Sequence, residues 1–352
     1  MLFVPIVVLL VSFVVILAGA ELFTNGIEWV GRKLRLAEGA VGSVLAAVGT
    51  ALPETLIPII AIGFGGAGAR TDEIGVGAIL GAPFMLSTLA LAVTAGAVIY
   101  RARRRPVMGD RLTIDADVVG ADIATFFIAY LIAIASALVP PELQVLRWVA
   151  AAALLVVYAL YVRVHLGGDP GPHVDLAALR FGRFDRVLVD DEPRMRIVVA
   201  QVAVALIAII GGAVAFVRAV ETLSASFGVA PEILALIIAP IATELPEKFN
   251  SVLWIRHGKD TLAIGNISGA MVFQACLPVI VAILFAPDSW RLSEQTLPTF
   301  ASAAIAIVSS AVIFWPVWRR QPLTGRRLMI GGGFYVAYLA YLGVFGAGIA
   351  HA

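Results

Sequence analysis

The chain has 352 residues, 61% of them hydrophobic and 14% charged, with a mean hydropathy of +0.97 and a formal net charge of +1 at pH 7. This composition is far outside the soluble range and predicts an all-α polytopic membrane protein. The near-neutral charge provides no electrostatic footprint for nucleic acid. The single cysteine, Cys276, excludes an internal disulfide and a multi-cysteine metal site.

Apolar windows long enough to cross a bilayer recur along the whole chain. They fall at 3–20, 40–62, 74–100, 118–138, 144–164, 197–217, 229–254, 262–286, 297–316 and 328–349. The first window lacks the basic segment of a signal peptide and pairs with 197–217 in the second half, so we expect a retained helix. The pattern predicts about ten transmembrane helices.

Two short stretches, 193 residues apart and each inside an apolar window, are nearly the same. Gly49 to Glu54 runs Gly-Thr-Ala-Leu-Pro-Glu, and Ala242 to Glu247 runs Ala-Thr-Glu-Leu-Pro-Glu. Each copy sets a carboxylate beside a proline, which removes one backbone hydrogen bond from a helix. Interrupted backbone and an ionisable group at membrane depth together indicate an ion or substrate pathway.

The match continues into the next window of each half, where 77–81 corresponds to 265–269. The chain therefore reads as an internal duplication, with a first repeat at 1–166 and a second at 196–352. Five helices in each repeat make the two repeats inverted in the membrane. The polar segment 167–195 between them is expected to be a linker rather than a regulatory domain.

The distribution of lysine and arginine predicts the orientation. With the N-terminus outside, 20 of the 25 basic residues fall in cytoplasmic loops. The outer side keeps Arg70, Arg147, Arg218 and Arg291, while Lys248 falls within a helix. We therefore expect a cell-membrane protein with both termini extracytoplasmic and the linker in the cytoplasm.

Glu54 and Glu247, brought together from inverted halves, would form a cage of hard oxygen ligands at the midplane. Such ligands suit Ca²⁺, Na⁺ or H⁺ rather than soft metals. Thr50 and Thr243 stand four residues before these glutamates, on the same helical face. On the helix that follows the second motif, Asn266 and Gln274 are either ligands or interhelical hydrogen-bonding groups.

The paired motifs resemble the cation/Ca²⁺ exchanger superfamily, sodium/calcium exchanger type, over nearly the whole chain. The signature of that family is Gly-Thr-Ser-Leu-Pro-Glu, followed on the next helix by Gly-Asn-x-x-Gly-Ser-Asn. The resemblance implies five plus five inverted helices and antiport by alternating access. It also implies that Glu54 and Glu247 bind Ca²⁺, and that flanking hydroxyls and carbonyls, with Thr50 and Thr243 as the motif threonines, bind Na⁺.

The chain departs from this signature at the motif serine, which is Ala51 in the first copy and Glu244 in the second. Lys248 stands four residues after Glu244, on the same helical face. Glu244 is then either a third ion ligand or proton carrier, or the partner of Lys248 in an internal ion pair. In the second case Lys248 also acts as a tethered cation where a mobile Na⁺ would otherwise sit.

The leading expectation is an antiporter that exchanges Ca²⁺ or a similar cation for Na⁺ or H⁺, with no cofactor. Its expected partners are inorganic cations and the lipid bilayer, with neither nucleic acid nor an obligate protein partner. The alternative is a monovalent cation/proton antiporter that does not bind Ca²⁺. An intramembrane enzyme is disfavoured because the sequence lacks His-Glu-x-x-His. A passive channel is disfavoured because it has no need of a duplicated, broken, carboxylate-bearing helix.

Two further acids, Asp117 and Asp122, stand near the start of the fourth predicted helix. They are read as a polar cap at the cytoplasmic mouth, with an ion vestibule as the alternative. Ser268, on the helix after the second motif, is read as a packing residue.

Overall fold

The structure is a computed structural model. It describes residues 3–51, 55, 69–104, 109–167, 176–184, 192–227, 244–293 and 296–342. Within these ranges the regular structure is helical, apart from an isolated antiparallel bridge between Arg111 and Thr324. The protein is therefore an all-helical chain in the part described.

The helices of the first half follow the apolar windows. They are α1 (Phe3–Lys33), α2 (Glu38–Ala40, a π-helical stretch Val41–Ala46, and Ala47–Thr50), α3 (Ala69–Met85, a π-helical stretch Leu86–Ala90, and Leu91–Arg104), α4 (Ala116–Ala137) and α5 (Gln144–Leu166). A single 3₁₀ turn, Pro141–Leu143, precedes α5.

The second half opens with a 3₁₀ turn in the polar connector, Arg180–Phe184. The helices after it are α6 (Met195–Phe227), α7 (Leu245–Arg256), α8 (Asp260–Phe285), α9 (Leu297–Trp318) and α10 (Gly325–Leu328 and Ile330–Tyr341).

Seven helices among the described residues are long and apolar enough to cross a membrane. They are Phe3–Lys33, Val76–Arg104, Ala116–Ala137, Gln144–Leu166, Met195–Gly212, Asp260–Phe285 and Thr299–Trp318. Each coincides with one of the apolar windows of the sequence. The windows 40–62, 229–254 and 328–349 lie partly outside the described residues, so the total of ten helices remains a prediction.

Helix α8 lies at the centre of the fold and packs against α2, α4, α5 and α7. Most of its side chains are buried around the whole circumference, as expected for a helix that is apolar on all faces. Gly265 and Gly269 form a notch on one side of α8. A Cβ on Gly265 would lie 2.7 Å from Oγ of Ser43, and one on Gly269 would overlap the Ser43 backbone. These glycines therefore let the backbones of α2 and α8 touch.

Helices α1 and α6, the first of each predicted repeat, pack along each other. Small residues again set the distance: a Cβ on Gly212 would lie 2.8 Å from Ile16, and one on Gly26 would lie 2.8 Å from Val202. The close pairing of these helices follows from the absence of side chains at the crossing points.

The polar linker segment, 167–195, packs along this helix pair in its described part. Asn25 and Trp29 of α1 both donate to the carbonyl oxygen of Ala177, at 3.3 and 3.0 Å, and Gln201 of α6 accepts from the Phe181 amide at 2.8 Å. Glu192 pairs with Lys33 at 2.7 Å, and this hydrogen bond holds the pKa of the Glu192 carboxyl below its usual value. The described part of the connector is therefore docked on α1 and α6.

Candidate functional site

The second motif stands at the start of α7. Pro246 occupies the first turn of this helix, where a missing backbone N–H costs nothing. Glu247 follows in the same turn, where the free N–H groups of the helix end favour a negative charge. The proline therefore opens the described part of this helix and sets the motif carboxylate at its positive end.

Glu247 is completely buried, and neither of its carboxylate oxygens has a hydrogen-bond partner among the described residues. Burying a charged carboxylate without a partner costs several kcal/mol, so a buried carboxyl group of this kind either holds a proton or binds a cation. Glu247 is therefore suited to exchange one for the other.

Thr50, Asn266 and Glu247 come together from three helices. The Asn266 side chain donates to the backbone oxygen of Glu247 at 3.3 Å, and its Oδ1 lies 3.2 Å from Oγ1 of Thr50. Asn266 also faces Ser251 of α7, with 3.4 Å between Nδ2 and Oγ. The amide of α8 thus joins the first motif helix to the second.

Gln274 lies eight residues further along α8, about 12 Å along the helix axis. Its Nε2 donates to Oγ1 of Thr55 at 3.0 Å. Because Thr55 directly follows Glu54 in the chain, Gln274 contacts the stretch that carries the first motif glutamate. Glu54 itself and Thr243 lie outside the described residues, so their positions relative to this set stay predictions.

Glu244 and Lys248 are in direct contact. The ammonium Nζ lies 2.7 Å from Oε2 of the carboxylate, across one turn at the start of α7. Both side chains are buried, with 1% and 5% of their surface exposed. The structure therefore pairs the extra acid of the second motif with the lysine one turn later. The neighbouring Glu247 has no side-chain hydrogen-bond partner among the described residues.

The reading of Asp122 as part of a polar cap is wrong. The cap of α4 is Asp115, which accepts from the backbone amides of Asp117 and Val118, while Asp117 is exposed and pairs with Arg320 at 2.5 Å. Asp122 is fully buried. Five residues turn a helix by about 500°, so the side chains of Asp117 and Asp122 point in different directions. The five-residue spacing in the sequence already indicated that the two acids do not share one face of the helix.

Ser268 also does more than fill space. Its hydroxyl donates to Oδ2 of Asp122 at 2.6 Å, and the hydroxyl of Ser43 donates to the same oxygen at 2.8 Å. Ser43 belongs to α2 and Ser268 to α8, the two helices that also meet at Thr50 and Asn266. Asp122 is thus a second polar contact point between them.

Comparison with known proteins gives the family. The family model of the sodium/calcium exchanger protein matches residues 4–167 and 197–346. The chain belongs to the sodium/calcium exchanger family. Its relatives in this family are transporters, not enzymes. The chain is accordingly a multi-pass membrane protein and a cation antiporter whose substrates are inorganic cations.

Two related sequences illustrate the relationship. The chain is 25% identical over 281 residues to the protein of Alkalimonas amylolytica named "Putative antiporter CaxA", which covers 79% of this chain and 80% of CaxA. It is 28% identical to inner membrane protein YrbG of Escherichia coli strain K12 over 118 residues, about a third of each chain (33% and 35%).

A solved structure shares the fold. The sodium-calcium exchanger NCX_Mj, soaked with 2.5 mM Na⁺ and 0.1 mM Ca²⁺, superposes with a TM-score of 0.73 at 15% sequence identity. The superposition covers 97% of this chain and 99% of NCX_Mj. At this identity the likeness establishes the exchanger fold and not the ion.

Proposed function

We propose that this antiporter exchanges Ca²⁺, or a similar cation, for Na⁺ or H⁺ by alternating access. The ion is bound near the membrane midplane between Glu54 and Glu247. The observation that carries the proposal is the buried Glu247 carboxylate, which lacks a hydrogen-bond partner among the described residues. A cation supplies the partner that this carboxylate requires.

Neutral oxygens complete the proposed site. Thr50 and Asn266 are in place beside Glu247, and Gln274 contacts the residue after Glu54. Thr243 is proposed for the equivalent position in the second motif. Carboxylate, hydroxyl and amide oxygens are the ligands that Ca²⁺ and Na⁺ take in proteins.

The contact between Glu244 and Lys248 bears on which cation is bound. Their charges cancel, so Glu54 and Glu247 set the charge of the site, and two carboxylates balance one divalent ion. In this proposal the Lys248 ammonium takes the place of one mobile monovalent cation beside Glu244, at 2.7 Å. The exchanger would then move fewer coupling ions than a site in which that position is vacant.

The same contact supports a second candidate, a monovalent cation/proton antiporter that does not bind Ca²⁺. Lys248 directly follows Glu247, and a fixed positive charge at this place repels a divalent cation more than a monovalent one, because the Coulomb energy scales with the charge. Under this candidate Glu244 and Glu247 carry the proton.

We propose the arrangement of the family for the whole chain: ten transmembrane helices as two inverted repeats, 1–166 and 196–352, with 167–195 as a cytoplasmic linker and both termini extracytoplasmic. The ranges 4–167 and 197–346 matched by the family support these boundaries. Helices α3 and α8, third in each repeat, both contain a proline, Pro83 and Pro278.

Transport by the purified protein in sealed vesicles tests the function. We expect saturable uptake of radiolabelled Ca²⁺ that requires an opposing Na⁺ or H⁺ gradient, and comparing the two gradients identifies the coupling ion. Ca²⁺ uptake that does not depend on a counter-ion would indicate a channel and contradict the proposal. Exchange of Na⁺ for H⁺ without any Ca²⁺ flux would establish the second candidate.

A further inference from the structure

A buried acid–base pair lies away from the motif carboxylates. Nε2 of His165, in the last turn of α5, lies 2.8 Å from Oδ1 of Asp122 on α4. Asp122 is fully buried and 6% of His165 is exposed. The transport site described above uses neither side chain.

The surroundings of His165 require a proton between the two groups. Nδ1 lies 3.0 Å from the carbonyl oxygen of Tyr161, which can only accept, so Nδ1 carries a hydrogen. Nε2 faces a carboxylate oxygen at 2.8 Å, although not along the line of a hydrogen bond. A bare Nε2 lone pair against an ionised carboxylate would be repulsive. The contact is therefore stable only with a proton on Nε2 or on Oδ1.

Hydroxyl groups surround the Asp122 carboxyl group. The hydroxyls of Ser43 and Ser268 both donate to Oδ2, and the Tyr161 hydroxyl lies 3.0 Å from Oδ1. Because the Tyr161 hydroxyl has one hydrogen and also lies near the carbonyl oxygen of Ser43, it donates to one of these two oxygens at a time. The pair therefore holds one proton next to a carboxyl group that accepts two hydroxyl hydrogen bonds at Oδ2.

Other titratable groups lie on the elements packed around this pair. They are Asp117 and Tyr130 on α4, Arg147, Tyr158, Tyr161 and Arg163 on α5, and Asp260 and Cys276 on α8. Of these, Tyr161 contacts Asp122, whereas Asp117 pairs with Arg320 and Asp260 with Arg101. Helix α9 and the part of α2 from Gly39 to Thr50 carry none, and the side chain of Glu38 lies outside the described part.

The pair is linked to the transport site through α2, which carries Thr50, and α8, which carries Asn266. Ser43 lies seven residues before Thr50 on α2, and Ser268 lies two residues after Asn266 on α8. The Tyr161 hydroxyl also reaches the carbonyl oxygen of Ser43, at 2.9 Å, within the π-helical stretch of α2. A change in charge at Asp122 therefore acts on the spacing of α2 and α8 about 10 Å along α2 from Thr50.

We propose that Asp122 and His165 form a proton-binding site, separate from the transported ion, whose occupancy sets the maximal exchange rate. With the proton bound, the pair is neutral overall and its hydroxyl donors hold α2 against α8. Loss of the proton leaves one uncompensated negative charge in a buried position, which loosens this contact. The proposal relies on the antiport activity but not on the identity of the cation.

The test is the pH dependence of exchange in vesicles containing wild-type protein, Asp122→Asn or His165→Gln. We expect the wild-type maximal rate to fall as pH rises through the loss of this proton, with the KM for the cation unchanged. Both variants should lose that inflection. Asp117→Asn, which removes an exposed acid from the same helix, should keep it.

Competition between protons and the transported cation at Glu247 would instead change KM. A pH effect on the maximal rate is therefore distinguished from a pH effect on cation binding. Wild-type pH profiles in both active variants would overturn the proposal. If neither variant folds, ¹⁵N NMR of wild-type protein with labelled histidines tests the proposal instead. The contact between α2 and α8 can loosen on deprotonation only if the pair holds a proton beforehand. A His165 ring with an unprotonated Nε2 beside an ionised Asp122 at neutral pH would then overturn it. Absence of any wild-type exchange would refute the proposed function rather than this site.

Discussion

Lys248 and Glu244 form a buried ion pair at the start of α7, with 2.7 Å between Nζ and Oε2. The next carboxylate in the same turn, Glu247, has no hydrogen-bond partner in the described part of the chain. Of these two acids, three residues apart, Glu244 is paired with a positive charge, and Glu247 has no hydrogen-bond partner among the described residues. The ammonium neutralises Glu244, and in the proposed function Glu247 is the carboxylate that binds the transported ion.

This pairing predicts strong coupling between the two side chains. Removing one partner of a buried ion pair leaves an unpaired charge and costs roughly 3–5 kcal/mol. We therefore expect Glu244→Ser alone to lose stability and exchange, and the double variant Glu244→Ser with Lys248→Leu to recover part of both. Thermal unfolding and vesicle flux of the single and double variants measure the coupling.

The double variant also tests the tethered cation. With the ammonium gone, a mobile Na⁺ can occupy its place, so exchange should gain dependence on Na⁺. If the double variant is no better than the worse single variant, the side chains act independently. Glu244 would then be an ion or proton ligand in its own right.

Neutralising the motif glutamates should abolish transport without unfolding the protein. Glu247→Gln removes the charge that a cation requires. It also removes a buried carboxylate that lacks a hydrogen-bond partner within the described ranges, so stability should not fall. We expect exchange at background and an unfolding temperature at or above the wild-type value. Glu54→Gln should lose exchange in the same way.

The matched control is Glu21→Gln on α1, where an exposed carboxylate pairs with Arg180 at the surface. Exposed pairs contribute about 0–1 kcal/mol, so this variant should transport normally. Near-normal exchange by Glu247→Gln would remove Glu247 from the ion site.

The orientation can be checked with single cysteines. Cysteines in place of the exposed Arg103, Arg183 and Arg320 should resist an impermeant thiol reagent applied outside intact cells, because basic loops stay in the cytoplasm. Arg291→Cys, on the predicted outer side, should react. Native Cys276 is buried and should give little background. External labelling at any of the first three positions would rule out the proposed topology.

Packing of α2 against α8 depends on Gly269. A methyl group there would overlap the backbone of Ser43, and neither helix can move without disturbing Asp122 or Asn266. Overpacking of this kind costs typically about 1–3 kcal/mol. Gly269→Ala should therefore lower the unfolding temperature and the exchange rate.

Gly96→Ala is the control, because it adds the same methyl group to α3 at an exposed position with no described atom within 4 Å. It should leave stability and transport near wild type. Equal behaviour of the two variants would mean that α2 and α8 can separate without consequence.

Much of the helical architecture could be predicted from patterns in the sequence. The apolar windows locate the seven helices that are long enough to cross a membrane. The repeated Thr-x-Leu-Pro-Glu motif led to the family and to Thr50, Asn266 and Glu247, which the structure brings into one cluster. Spacing also placed Lys248 on the same face as Glu244, since four residues make about one turn. That Glu54 and Glu247 face each other across one ion site remains a prediction, because Glu54 lies outside the described residues.

The sequence by itself determined that the chain is membrane-embedded and carries ionisable motifs within its apolar segments, because both are local properties. The resemblance of those motifs to a known signature then pointed to the exchanger family. The tertiary structure decided which buried groups have partners. Asp122 and Asp117 look alike in the sequence, yet one is held by Ser43, Ser268 and Tyr161 and the other by Arg320 at the surface. Those partners lie 39 to 203 residues away along the chain, and hydrogen bonds between such distant residues exist only after the helices have packed.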